Sequence, residues 1–151
     1  MDKLSLKRNI ASVCKKIKIG AEANLMTAVL EAQQSANEYG QPKDRYDSYR
    51  EQLSSRRDML AQQLIKIREE IVLLDKIDLT RTCEYGGFGA VVITGMQKVF
   101  ISIGIGRIKL DDGSEYYAIS PAVPFAKAVQ GKKAGDQVEF NGRKFEILDV
   151  F

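Results

Sequence analysis

Between residues 3 and 76 the chain holds a single proline, Pro42, and glycine only at positions 20 and 40. Nothing else in the sequence restricts the fold so strongly. A stretch of that length without helix breakers reads as two helices meeting at the Gly40-Gln41-Pro42 turn. In the second arm Tyr46, Tyr49, Leu53, Leu60, Leu64, Ile67, Ile71 and Leu74 recur at steps of three, four and seven, which places them on one helical stripe. The first arm repeats Ile10, Val13, Ile17, Leu25, Ala28, Ala32, Ser35 and Tyr39, and its alanine- and serine-rich end allows close approach. Gly20 and Asn24 mark a change of register and a bend. Two such stripes joined by a short turn predict an antiparallel helical hairpin of coiled-coil type. The second arm, about 29 residues at ~1.5 Å each, reaches roughly 45 Å, so it should project from any small domain.

Beyond "DKIDLTRTCEYGG" the period changes. "GAVVITG", "KVFISIGIGRIKL" and "SEYYAIS" are β-branched and aromatic runs divided by glycine and by Asp-Asp-Gly, the pattern of strands and tight turns. "VPFAKAVQG" predicts a short helix with proline at its start and glycine at its end. Asn141-Gly142 inside "DQVEFNGRKFEILDVF" predicts a two-residue hairpin turn. The fold expected is α+β: a helical hairpin over 1–78, then a small, mostly antiparallel sheet domain with one helix over 85–151.

Composition removes several classes of function. With no histidine among 151 residues, Ser-His-Asp and imidazole-metal chemistry are excluded. Cys14 and Cys83 lie too far apart in sequence for a zinc motif and read as reduced, small apolar residues. No apolar run approaches the roughly 18 to 20 residues of a membrane span, and the charged N-terminus is unlike a secretory signal. A cytoplasmic location without membrane contact is expected. The net charge of +3 is too small to argue for nucleic-acid binding. Its excess sits at Lys3, Lys7, Arg8, Lys15, Lys16 and Lys18, a face suited either to phosphates and acidic proteins or to solvent.

The order of parts, a long hairpin and then "ISPAVPFAKAVQGKKAGDQVEF", resembles the Gre transcript-cleavage factors of bacterial RNA polymerase. Ile119, Ser120, Pro124, Lys127, Gly131, Lys132, Gly135 and Asp136 occupy the family's motif positions, and "EYGQPKDRYDSYREQ" stands where the family has its hairpin tip. The resemblance implies an FKBP-like C-terminal domain docked at the polymerase secondary channel through Ile119, Ser120, Pro121, Pro124, Phe125 and Lys127. It implies a hairpin reaching toward the active site, with indirect contact to RNA in the channel. The family's tip supplies two acids that help hold a second magnesium ion, and the polymerase itself performs the cleavage. Here Gln41 replaces the first acid, Asp44 holds the place of the second, and Asp47 lies one helical step further on. Asp44 and Asp47 are therefore the tip residues and metal ligands expected within a polymerase complex alone, with no cofactor bound by the isolated chain. Val123 stands where the family has serine. The expected function is a non-enzymatic elongation regulator with weak stimulation of cleavage. The alternative is a coiled-coil adaptor for another protein, in which the tip acids are ordinary helix-start residues. Isomerase activity, suggested by an FKBP-like fold alone, ranks low because fold does not carry function.

Overall fold

The computed structural model describes residues 2–41 and 47–151. The chain forms α1 (Lys3–Tyr39) and α2 (Ser48–Asp75). These are followed by β1 (Val91–Thr94), β2 (Lys98–Ile101), β3 (Gly106–Lys109), β4 (Glu115–Ile119), α3 (Pro124–Val129), β5 (Gln137–Phe140) and β6 (Arg143–Val150). This is the expected α+β order. Two compact units divide it: Ile17–Val72, and Met1–Lys16 together with Leu73–Phe151. The sequence boundary between 78 and 85 follows the change of secondary structure, whereas the compact units follow packing.

In the larger unit the sheet has the order β3-β4-β2-β1-β6-β5. Four of its pairings are antiparallel, as the turns predict, and β2 with β4 is parallel. Val91 faces Phe100 and Val92 faces Val99 across β1 and β2. Because side chains alternate along a strand, each register pair belongs to a different face. Val91 and Phe100 pack with Ile10, Cys14, Leu74, Ile77, Ile108 and Phe151. Val92, Val99 and Ile101 pack with Phe125, Val129, Phe145 and Ile147. The central strands are thus covered on both faces, by the first turns of α1 and the end of α2 on one side and by α3 on the other. That double burial explains why "AVVI" is apolar without alternation. At the β5–β6 turn Asn141 and Gly142 both take positive φ, 53° and 76°, the backbone that a two-residue hairpin of this kind requires. Gly86 binds the segment after α2 to α3: its N–H donates to Lys132 O (2.8 Å) and its carbonyl accepts from Gly131 N–H (2.9 Å). A Cβ there would collide with the Val129 carbonyl oxygen.

Asp2 caps α1, accepting from Ser5 N–H at 2.7 Å. These hydrogen bonds hold its carboxyl below the ordinary carboxylate range. The helix then runs unbroken through Gly20 and Asn24 to Tyr39. Within the Ile17–Val72 unit, Lys18 pairs with Glu70, Glu22 with Arg68 and Gln33 with Arg57. Rising numbers in α1 meet falling numbers in α2, so the helices are antiparallel. In the second stripe Leu64 and Leu74 are buried and Leu53, Leu60, Ile67 and Ile71 half-buried, as expected, whereas Tyr49 is exposed and Tyr46 lies outside the described residues. The first stripe differs from the expectation. Ile17 is 42% exposed, and Cys14 and Lys18 take the inward places. Ser35 likewise yields to the fully buried Ala36. On the α1 side the seam runs through small residues and Lys18, and α2 faces it with leucine and isoleucine.

Candidate functional site

Two segments carry the expected chemistry. At the hairpin end α1 stops at Gly40, whose positive φ of 83° is the left-handed backbone that ends a helix, and whose N–H still reaches Ala36 O at 3.2 Å. Asp47 begins α2. Its Oδ1 accepts Arg50 N–H at 3.2 Å, a side-chain N-cap. Tyr39 Oη donates to the same carboxylate, 3.0 Å from each oxygen. The Tyr39 ring meets Tyr49 edge to face at 4.9 Å between centroids. Two of the three tip tyrosines that the sequence sets near the turn therefore tie the end of one helix to the start of the next. Gln41 is exposed. Asp44, the acid in register with the family pattern, lies outside the described residues.

Asp47 is thus a helix cap already engaged by a phenol and an amide. Magnesium takes its ligands as a near-octahedral set of oxygens. Among the described residues no group of three acids, cysteines or histidines converges. The described residues do not build a magnesium site.

The second segment runs from Ile119 to Asp136. Ser120 Oγ accepts Ala122 N–H at 3.1 Å, turning the chain out of β4. Pro124 opens α3, where its missing N–H costs nothing, and Val123 before it makes no side-chain cap. Gly131 and Gly135 take positive φ, and Asp136 Oδ2 accepts Lys133 N–H at 3.0 Å. The motif positions are therefore the turn-forming positions of one β–turn–helix–turn–β element. Pro121, Pro124 and Lys127 are exposed, and Ile119 and Ser120 are half-buried. Phe125 corrects the expectation: it is 6% exposed, stacked on Phe145 at 5.6 Å and set edge-on to Phe140 at 5.3 Å. It belongs to the core. Tyr85, Phe88 and Tyr117 are exposed.

The basic N-terminal face is largely engaged within the protein. Lys3 pairs with Asp149 (3.0 Å), Lys15 with Asp75 (2.7 Å) and Lys18 with Glu70 (3.1 Å), while Arg8 donates to Leu79 O (2.9 Å). Lys7 is wholly buried. No local signal exposes these pairings, because the partners lie 52 to 146 residues away. Among the described residues no helix is long and apolar enough to cross a membrane.

No family model matches the chain, and no curated protein matches it. Among the solved structures similar to it are two Gfh1 structures. One is the structure of the transcription factor Gfh1, at 18% identity over 91% of this chain and 93% of that one, with a TM-score of 0.37. The other is the crystal structure of GreA factor homolog 1 (Gfh1) of Thermus thermophilus, at 19% identity over 91% and 94%, with a TM-score of 0.34.

Proposed function

We propose that this chain is a Gre-type transcription factor that binds RNA polymerase at the secondary channel, presents its hairpin end toward the active site, and regulates elongation without being an enzyme itself. The observation that carries this reading is the coincidence of sequence motif and structure between Ile119 and Asp136. Residues matching the family pattern form one continuous element whose Pro121, Pro124 and Lys127 are exposed. The antiparallel pair α1 and α2, closed at its far end by Tyr39 and Asp47, supports the same reading.

The tip chemistry points to regulation more than to cleavage. Gln41 is neutral, and the Asp47 carboxylate is engaged in capping α2. Asp44 remains the residue to which an active-site role is assigned, and any RNA cleavage is the polymerase's own.

Purified chain mixed with core RNA polymerase should co-migrate in a native gel and compete with other secondary-channel ligands. Added to a stalled, backtracked complex, it should shorten the RNA weakly, and Gln41→Asp should increase the shortened product. Absence of binding to polymerase would overturn the reading. It would favour the adaptor reading, for which the exposed Met26, Leu30, Met59, Ile65 and Val72 on the helical pair speak.

A further inference from the structure

Along the outer side of α1, Ile19, Ala23, Met26 and Leu30 follow one another at steps of four, three and four. That is the spacing by which a helix presents one seam to a second helix. All four are exposed, as are Ile65 and Val72 of α2. The antiparallel pair brings these residues to one side. Arg68 stands a three-residue step from Ile65 and a four-residue step from Val72, on the same face of α2. It donates to Glu22 at 3.2 Å, and its Nη2 lies 4.0 Å from Met26 Sδ. The large apolar side chains of this face are 40% to 60% exposed, a patch of the kind that marks an interaction surface.

Two features fit a second copy of the chain to this face. The stripe is the same in both directions. Turned end for end about a two-fold axis between Ala23 and Met26, it sets Ile19 against Leu30 of the copy, and Met26 over the space left by the small Ala23. The charged groups at the centre of the face, Glu22 and Arg68, neutralise each other, so identical faces meet without the repulsion of like charges. The four layers span about 17 Å along the helix. A face so short covers less than the ~800 Å² per partner of a standard stable interface, which makes the association weak and reversible.

We propose that the chain forms a weak, antiparallel two-fold dimer through Ile19, Ala23, Met26 and Leu30 of α1, with Ile65 and Val72 of α2 at its flank. In the dimer these side chains leave water against their own copies, and the Glu22–Arg68 pair closes the margin of the contact.

Sedimentation equilibrium of the intact chain, from low-micromolar to near-millimolar concentration, measures this. The average mass should rise with concentration from that of one chain toward that of two. Met26→Glu, at an exposed position and checked for folding by circular dichroism, should weaken dimerisation by about tenfold or more, the effect of an unpaired charge left in a dry contact. Mixing Met26→Glu chains with Ala23→Lys chains should restore dimer above the level of either alone, because the pairing sets position 26 of one copy against position 23 of the other. A chain that stays monomeric throughout overturns the proposal and leaves the face to a helix of another protein. A dimer unaffected by Met26→Glu overturns it too, since the contact then lies elsewhere. A mixture that associates no better than its components rules out the antiparallel pairing.

Discussion

The two compact units are held together by different means. Around the sheet, Val91, Val92, Val99 and Phe100 are completely buried, and the strands are sealed on both faces by aliphatic and aromatic contact. In the Ile17–Val72 unit Ala32, Ala36 and Leu64 are buried, Leu53, Leu60, Ile67 and Ile71 half-buried, and a Lys18–Glu70 pair (3.1 Å) and the Tyr39–Asp47 hydrogen bonds (3.0 Å) join them. Area removed from water sets the stability of the first, at roughly 25 cal/mol per Å² of apolar surface. The second depends on small residues that let helices approach and on polar groups that must find each other.

The largest expected effect falls on the sheet. Phe100→Ala should cost about 3–5 kcal/mol, the range for an aromatic core truncation, measured as a loss of urea midpoint with unchanged slope. In the helical unit, Leu64→Ala should cost about 2–3 kcal/mol. Its hydrogen-exchange signature should be confined to amides between Ile17 and Val72 if the units open separately. Equal loss of protection in β1 and β2 would break the distinction.

Lys18 and Glu70 are 14% and 15% exposed, whereas Lys15 and Asp75 are 46% and 52% exposed. Lys18→Ala should therefore cost about 1–3 kcal/mol by leaving a half-desolvated acid behind, and Lys15→Ala about 0–1 kcal/mol. The double variant Lys18→Met/Glu70→Leu should recover most of the loss, because the pair stabilises mainly against its own disruption. Asp47→Ala should cost about 0.5–2 kcal/mol as a lost N-cap. Asp47→Asn retains a cap without the charge. If Asp47 serves only as a cap, the Asn variant should bind and regulate polymerase like the wild type; a loss of activity with retained binding would restore a role for the charge.

A further effect concerns pH. Burial raises Cys14 from its ordinary 9.0 to about 12, so the folded state disfavours the ionised thiol. Its contribution to stability is complete below pH 9.0 and declines as pH rises toward about 12, because the unfolded chain releases the proton first. Thermal melts between neutral pH and pH 10.5, about the middle of that window, should therefore fall more steeply for wild type than for Cys14→Ala.

Legibility in the sequence followed the same division. Dense β-branched runs, Pro124 and Asn141-Gly142 each have one strong local solution, and the strands, α3 and the last hairpin stand where those residues predict them. The helical seam has no such local code. Ile17 outranks Lys18 on any hydrophobic scale, yet Ile17 is exposed and Lys18 faces inward to Glu70. Lys7 is buried because the segment at 81–83 supplies its contacts, and nothing near position 7 reveals that. Phe125 matched a docking motif by position, but an aromatic one residue into a short helix on a sheet has an inward side, and Phe140 and Phe145 complete it. An Asp before a helix reads equally as a cap or as a ligand; Asp47 accepts Arg50 N–H as a cap does, and Asp44 lies outside the described residues.

The account turns on whether the hairpin end reaches the polymerase active site. A photo-crosslinking residue at the exposed Gln41, irradiated in a complex with elongating RNA polymerase, tests this directly. Adducts are expected at residues lining the secondary channel near the active site, lost when Pro124 and Lys127 are both replaced by glutamate. Adducts confined to the outer polymerase surface, or none despite stable binding, would contradict it.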